Sequence, residues 1–401
     1  MAFQNIILNV IFLAFVIISP LMFFLTPRKY RSYTISLIGI IFYYLLAGPF
    51  LFLILGEIIF IYILTKKSKK NILYAEIGIL ASLFLLAYYK IRIFQNAVIF
   101  AVNSIILQDY FLKGSILLPL GLSFFTFLLI HYLIDCRKGK IKHHKFIDFV
   151  AFVMFFPTIA AGPLRRFQNF NKELYRARFT ANNVFIGTIR ILFGFFKKIV
   201  IADSLAVFAT NFQNLSGATT STPAELWISI FAYSLMIYFD FSALADIAVG
   251  SSRLLGIKVP ENFNNPYLKR NIALFWRSWH MTLYKWLVDY VYIPLGGSRA
   301  SKIKTIRNIL IIFVLIGLWH GVSTNFVLWG LWHGFLVAMY KLYSDHMKPK
   351  VQNNSFYSSR YMTIISVLFT FFLVSIGWVF FASSTIDVSF IVIKKIFLLG
   401  A

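Results

Sequence analysis

Asn5-Ile-Ile-Leu-Asn-Val-Ile-Phe-Leu-Ala-Phe-Val-Ile-Ile-Ser-Pro-Leu-Met-Phe-Phe-Leu-Thr26 contains no charged residue. A helix of that length rises far enough to cross roughly 30 Å of hydrocarbon. No basic stretch precedes it and no small-residue cleavage site follows, so it reads as a first transmembrane helix and not as a signal peptide. The remainder of the 401 residues has the same character: 59% are hydrophobic, 13% are charged, and there are 46 Phe and 21 Tyr. A core of this size cannot hide so many aromatic rings, which excludes a soluble globular protein and a disordered one. A single cysteine, Cys136, excludes an internal disulfide framework.

Apolar runs recur at roughly 5–26, 33–48, 50–65, 71–90, 91–109, 115–134, 146–162, 183–210, 224–249, 306–320, 322–340 and 362–382. The expected fold is all-α: a polytopic transmembrane bundle of about ten to twelve spans with a central tunnel. Runs broken by Gly and Pro, at Gly48-Pro49 and Gly162-Pro163, predict re-entrant pieces, because a broken helix in lipid must be buried in protein or line a cavity. No internal repeat or linker appears. The chain reads as one integral-membrane domain over 1–401, with N-terminal helices in 1–110 and a core in 111–382.

The net charge of +25 would suit nucleic acid, but the cations lie in short clusters between apolar runs. That is the pattern of membrane-protein loops, and no nucleic-acid partner is expected. The clusters Arg28–Arg31, Lys66–Lys70, Arg137–Lys145, Arg165–Arg178, Arg253–Arg270, Arg299–Arg307 and Lys341–Lys350 face the cytoplasm by the positive-inside rule. The uncharged Asn211–Pro223 reads as an outer loop, and the N-terminus then lies outside.

Charges within apolar runs are functional candidates by default. Glu57 and Glu76 stand alone and read as interfacial or neutral groups. Lys197 and Lys198 precede Asp203 by six and five residues, which is not the spacing of an α-helical ion pair. Asp240 and Asp246 are six apart and do not share a helical face, so each needs its own partner. Arg253 lies seven residues after Asp246, near the same face.

Asn271–Tyr292 reads as an interfacial helix that places Trp276 and His280 on one face. Six of the eight tryptophans fall between Trp276 and Trp332, as an interface belt or a shared site. Of the seven histidines, His143, His144 and His346 sit in basic loops as solvated residues, and His131 reads as interfacial. His320 is different. It stands in Ile316-Gly-Leu-Trp-His-Gly321 after a long apolar stretch, where desolvation favours the neutral imidazole. A neutral imidazole can take a proton from a hydroxyl, and a satisfied core histidine is the alternative. His333 lies thirteen residues on in a second Gly-Leu-Trp-His-Gly, read as helix packing through small residues. No metal is expected, since these histidines match no ligand spacing. A nucleophile elbow, a phosphate loop and a dinucleotide fingerprint are all missing.

Nine segments occur in a fixed order: Leu118-Pro-Leu-Gly-Leu-Ser-Phe-Phe-Thr126; Phe156-Pro-Thr-Ile-Ala-Ala-Gly-Pro163 with Arg165; Gly194-Phe-Phe-Lys-Lys-Ile-Val-Ile-Ala-Asp203; Tyr238-Phe-Asp-Phe-Ser242; Pro260-Glu-Asn-Phe-Asn264; Phe275-Trp-Arg-Ser-Trp-His280; Tyr292-Ile-Pro-Leu-Gly-Gly-Ser-Arg299; Gly317-Leu-Trp-His-Gly321; and Gly377-Trp-Val-Phe-Phe381. Each alone is weak. In this order they resemble the membrane-bound O-acyltransferase family, in particular its bacterial branch that O-acetylates alginate and peptidoglycan. Ala243-Leu-Ala245 departs from the alginate-type pattern of Gly, an aromatic residue and Ser. The resemblance also implies further spans after Gly377–Phe381, whereas this sequence stops at Ala401, as a short member or a truncated one.

The resemblance implies acyl transfer from a thioester to a hydroxyl. His320 falls on the family's invariant histidine, as general base or acyl carrier, and His280 on the second polar position of the pair. Trp276, Trp279, Trp319, Arg165, Asp240 and Asn264 stand in the same motifs and are the substrate-binding candidates. Acetyl-CoA or another acyl thioester is the expected donor, with no bound cofactor, and Arg165, Arg166 and Arg270 are placed to attract its phosphates. The expected setting is a bacterial cytoplasmic membrane. The acceptor is an envelope polysaccharide reached through an extracytoplasmic acyltransferase partner. Two other readings stay open: D-alanyl transfer to teichoic acid from a carrier protein, and a transporter or flippase for lipid-linked sugar.

Overall fold

The structure, a computed structural model, describes residues 10–91, 119–141, 144–159, 162–347 and 359–397. His143 and nearly all of the run at 91–109 lie outside the described residues. The described residues form helices and no strand. In chain order they are α1 (Val10–Leu25), α2 (Arg31–Ala47), α3 (Phe50–Ser68), α4 (Leu73–Lys90), α5 (Leu122–Arg137), α6 (Phe146–Val153), α7 (Phe156–Ile159), α8 (Phe167–Arg176) and α9 (Ala181–Phe195). A π-helical segment, Phe196–Ala202, continues α9 and leads into α10 (Asp203–Ala206). There follow α11 (Leu215–Thr220), α12 (Pro223–Leu254), α13 (Ile272–Trp276), α14 (Met281–Leu287), α15 (Lys302–His320), α16 (Thr324–His346), α17 (Arg360–Ala382) and α18 (Ile386–Ile396).

Among the described residues five helices are long and apolar enough to cross a membrane: Arg28–Ala47, Leu73–Lys90, Pro223–Leu254, Lys302–His320 and Arg360–Ala382. Helices α3 and α16 are likewise long and unbroken over their apolar runs, whereas other runs are broken in the fold. The run at 146–162 divides into α6 and α7, and Phe149–Phe156 between and around them is buried. Helix α2 passes the break so closely that a Cβ on Gly39 would overlap the Met154 carbonyl. The broken segment is thus enclosed by protein, as lipid requires. Leu25, Leu80 and Leu368 are 85%, 65% and 61% exposed, which suits a surface that meets lipid and not water. The chain is a multi-pass membrane protein.

Two compact units are present. The first comprises Met1–Leu192 and Asp246–Pro260. Its polar contacts are long-range. Arg31 donates to the Ala177 carbonyl at 2.6 Å and lies over the Phe23 ring. Asp148 Oδ1 accepts from Ser32 at 2.5 Å and from Tyr175 at 2.6 Å. Asp246 pairs with Arg190 at 2.7 Å, so its cation comes from α9 and not from Arg253. That approach is possible because α9 and α12 cross at Gly187 and Gly250, where a Cβ on either would meet the other's carbonyl at 2.9 and 2.6 Å. His131 is fully buried rather than interfacial, with Nδ1 3.2 Å from the Phe127 carbonyl. His144 is likewise not a solvated loop residue: its Nε2 lies 2.6 Å from the Tyr132 hydroxyl and its ring packs on Phe167.

The second unit comprises Phe193–Ala245 and Glu261–Ala401. Here the spacing argument about Lys198 and Asp203 is overturned. Lys198 Nζ lies 2.7 Å from Asp203 Oδ1 and 2.9 Å from Asp240 Oδ1. The reason is the π-helix, whose wider turn brings residues five apart onto one face. Asp240 thus has its own partner, as its separation from Asp246 requires. Lys197 also folds inward, over the Phe193 ring and 3.3 Å from Ser242 Oγ. Lys198 is buried and its two carboxylate partners are partly exposed, so removing the lysine leaves them without their shared cation but within reach of solvent. Lys198→Met is therefore expected to cost about 1–2 kcal/mol, and Lys198→Met with Asp240→Asn clearly less. Thermal unfolding in detergent checks this; equal losses in both proteins would show that the pair is not coupled.

Candidate active site

Helices α15 and α16 form an antiparallel hairpin whose contact surface is a line of glycines. A Cβ on Gly317 would overlap the Phe326 carbonyl, and one on Gly330 the Phe313 carbonyl. Gly334 lies against Phe313 and Leu310. The two Gly-Leu-Trp-His-Gly segments are therefore one packing device, in which missing side chains let backbones touch.

His320 is the last residue of α15, and Gly321 continues in an extended conformation. The half-buried imidazole is held by aromatic rings: Trp319 at 4.5 Å, Phe381 at 4.9 Å and Trp329 at 5.2 Å between centroids, with Phe326 stacked at 6.1 Å. The end of α15 thus presents a confined ring at a break in the chain.

His280 comes to the same place from another element. The helix expected over 271–292 is divided: α13 ends at Trp276, α14 begins at Met281, and a π-helical segment runs from Val288 to Tyr292. The divider is His280 itself, at φ +45°, a left-handed conformation that is costly for a residue with a side chain. Trp276 and His280 therefore do not share a continuous helix face. His280 is 4% exposed and packs edge-on against Phe241 at 4.9 Å and Trp319 at 6.2 Å. The Trp319 indole thus touches both candidate histidines. His280 Nδ1 lies 3.1 Å from Asn262 Oδ1, and Nε2 has no hydrogen-bond partner. Burial lowers this imidazole to about 3, so it stands neutral at physiological pH.

Behind these residues lies an aromatic cluster. Trp279 packs on Phe263, Phe275 and Trp378 at 5.2, 5.5 and 5.2 Å. Trp378 donates to the Tyr267 hydroxyl at 3.0 Å, which donates to the Ser234 carbonyl at 2.6 Å. His333 is fully buried between Trp276 at 5.1 Å and Trp329 at 5.3 Å. Neither of its ring nitrogens has a hydrogen-bond partner, and its imidazole fills the space above Gly377.

A cavity of about 440 Å³ runs along α15 and α16 beside α13 and α14. Arg277, Lys341 and Ser344 line it toward one end, and Trp276, Phe313 and Ile316 toward the other. The pairing of Gly317 with Phe326 and of Gly330 with Phe313 sets the hairpin register, placing Ser344 near the start of α15 and Ile316 near its end. At 1.5 Å per residue the cavity extends along roughly 20 Å of the hairpin. Its inner end at Ile316 is one helical turn from His320, on the same side of α15. The Trp276 indole is buried in this wall, and its N–H has no acceptor.

Of the residues singled out in the sequence, the fold gathers His280, Trp319 and His320 around one indole, with Trp276 and Trp279 in the cluster behind. Asp240 is bound to Lys198. Arg165 belongs to the first unit, 3% exposed, donating to Thr158 and the Phe152 carbonyl within a cage of Phe152, Phe155 and Phe170. Asn264 is exposed and touches Ser278 through its backbone N–H; the residue of that motif that reaches His280 is Asn262. Arg270 is exposed, and the cations at the cavity are Arg277 and Lys341. Among the described residues no group of His, Cys, Asp and Glu could hold a metal ion.

The family model described as MBOAT, membrane-bound O-acyltransferase family, matches residues 122–385. The chain is 33% identical over 393 residues to the probable alginate O-acetylase AlgI of Pseudomonas aeruginosa, covering 94% of this chain and 72% of that protein. It is 33% identical over 397 residues to the peptidoglycan O-acetyltransferase of Helicobacter pylori, covering 89% and 72%. It is 30% identical over 275 residues to the teichoic acid D-alanyltransferase of Bacillus subtilis, covering 66% and 68%.

Proposed function

Because the chain belongs to the membrane-bound O-acyltransferase family, we propose that it moves an acetyl group from a cytoplasmic thioester to a hydroxyl of a cell-envelope polysaccharide. The observation that carries this reading is the cavity whose inner end lies one turn from His320. Its outer end, at Ser298, Lys341 and Ser344, adjoins the start of two basic segments of the sequence that the positive-inside rule assigns to the cytoplasm. Arg277 and Lys341 suit the phosphates of acetyl-CoA, and the apolar stretch between them and Ile316 suits the arm that bears the thioester.

The acceptor hydroxyl comes from the opposite direction, past Gly321–Ser323 at the end of α15. Asn325 and Ser383 belong to the same end: Asn325 donates to the Ser383 carbonyl, and Ser383 Oγ to the Phe212 carbonyl at the start of the uncharged loop. An extracytoplasmic partner enzyme would carry the group onward to the polysaccharide, and a bacterial cytoplasmic membrane is the matching location. In the reaction the acyl carbon exchanges its bond to sulphur for one to oxygen, and the hydroxyl proton ends on the thiol.

Acetyl transfer is favoured because the two O-acetylating relatives match across most of the chain. D-alanyl transfer is the second reading, supported by the match to the Bacillus subtilis protein. The test is thiol release by the detergent-purified protein offered acetyl-CoA or a charged carrier protein. Release from acetyl-CoA alone is expected. Release from the carrier alone would replace acetyl transfer by the second reading, and transport of a lipid-linked sugar with release from neither would overturn both.

A further inference from the structure

The rings around His320 form a wall as well as a cage. Phe326 stacks on the imidazole at 6.1 Å, Trp329 and Phe381 meet it edge-on at 5.2 and 4.9 Å, and Trp319 stands at 4.5 Å. Phe381 ties this wall together. Its centroid lies 5.1 Å from that of Phe326 and 5.3 Å from that of Trp329. Behind them Trp378 closes on Phe381 at 5.3 Å and on Trp329 at 6.0 Å. Rings packed at these distances leave no gap that a methylene chain could enter.

In either role proposed for His320 the acyl carbon stands against the imidazole, at or one bonded atom beyond the roughly 3.5 Å of a near-attack contact. The donor arm takes the cavity side, where Ile316 lies one turn away. The acceptor takes the side of Gly321–Ser323. What remains of the acyl group is then directed at the rings. A methyl group can lie against them. Each added methylene would have to displace a ring that is itself held by others.

The members of the wall differ in what else they support. Trp329 is 1% exposed in the hairpin core, beside Gly330. Phe326 packs on Gly321, and its carbonyl abuts Gly317. Phe381 is half-buried, one residue before the end of α17, and touches His320 directly. Its truncation would open space beside the imidazole without separating α15 from α16.

We infer that the ring wall limits the transferred group to acetyl or one of similar size, and that Phe381 is the specificity-determining residue that ends the acyl site. This rests on the acyl-transfer reading above and extends it: the protein itself, and not only the supply of donor, sets the acyl length.

The experiment pairs turnover with binding in detergent-purified protein. Thiol release is followed with acetyl, butyryl and hexanoyl thioesters, on coenzyme A and on carrier protein. Equilibrium binding is measured with the matching coenzyme A ketones, in which a methylene replaces the sulphur and no transfer can occur. One methylene in a closed apolar pocket is worth about 10- to 200-fold, so wild-type kcat/KM is expected to fall at least about 10²-fold from acetyl to butyryl. The ketones are expected to weaken in the same order. Phe381→Ala is expected to narrow the butyryl-to-acetyl gap about tenfold or more. Phe381→Leu, a milder truncation, is expected to narrow it less, and it serves if the alanine protein does not fold. Equal kcat/KM for the three thioesters in wild type, or a gap that neither substitution changes, would overturn the assignment. The ketones need no turnover. Binding that weakens with length while no thioester releases thiol would support the wall and count against acyl transfer; binding alike at all lengths would overturn the wall whatever the turnover.

Discussion

His320→Ala is expected to lower acyl transfer by about 10³-fold while the protein still purifies as a folded, monodisperse species. The size of the loss follows from the role proposed for His320, general base toward the acceptor hydroxyl or carrier of the acyl group. Positioned imidazoles typically contribute 10²- to 10⁴-fold, and no other histidine on α15 can substitute. The persistence of the fold follows from where the residue lies. His320 ends its helix and is half-buried, so truncation removes edge contacts with Trp329 and Phe381 but opens no sealed core cavity. Thiol release from the charged donor, read beside size-exclusion elution and a thermal melt, separates the two effects. Near-normal turnover would remove His320 from the chemistry. A collapsed elution profile would instead make it a structural residue.

Gly330→Val is expected to abolish the hairpin's packing, with a loss of at least ~3 kcal/mol or no recoverable protein. A Cβ at this position would overlap the Phe313 carbonyl and come within 3.0 Å of its carbon, and both atoms belong to a helix backbone that cannot rotate away. Separating α15 from α16 would shift the ring cage around His320 and widen the cavity that runs along the same two helices. Gly317→Val should behave alike, through Phe326. The control is Gly56, in α3, where an added Cβ meets nothing within 4 Å. Gly56→Ala is expected to leave the melt unchanged or slightly raised, because alanine favours helix over glycine by about 1 kcal/mol. A Gly330→Val protein melting with the wild type would mean that the two helices do not touch through these glycines.

Local pattern was enough for much of this protein. Uncharged apolar runs and clustered cations identify a membrane protein, because lipid thickness and backbone hydrogen bonding impose their demands on each segment separately. Nine short segments in order placed the chain near an acyltransferase family, and the family match over 122–385 agrees. The same reading singled out His280, Trp319 and His320, which the fold gathers around one indole.

Other features depend on tertiary structure. Lys198 and Asp203 pair because the helix widens to a π turn, which an α-helical spacing rule excludes in advance. Trp276 and His280, assigned to one helix face by their spacing, fall on separate pieces because His280 takes a left-handed conformation. Asn262 and Asn264 were indistinguishable within Pro260–Asn264; only the docking of that turn on the start of α14 selects Asn262. Arg277 and Lys341 are 64 residues apart in sequence and meet at one cavity only because α16 returns beside α13. Periodicity reports what each residue's neighbours along the chain require. Which side chains from distant elements share a space is decided by how closely those elements can approach, and here that is set by glycines whose role appears only when the opposing carbonyl is in place.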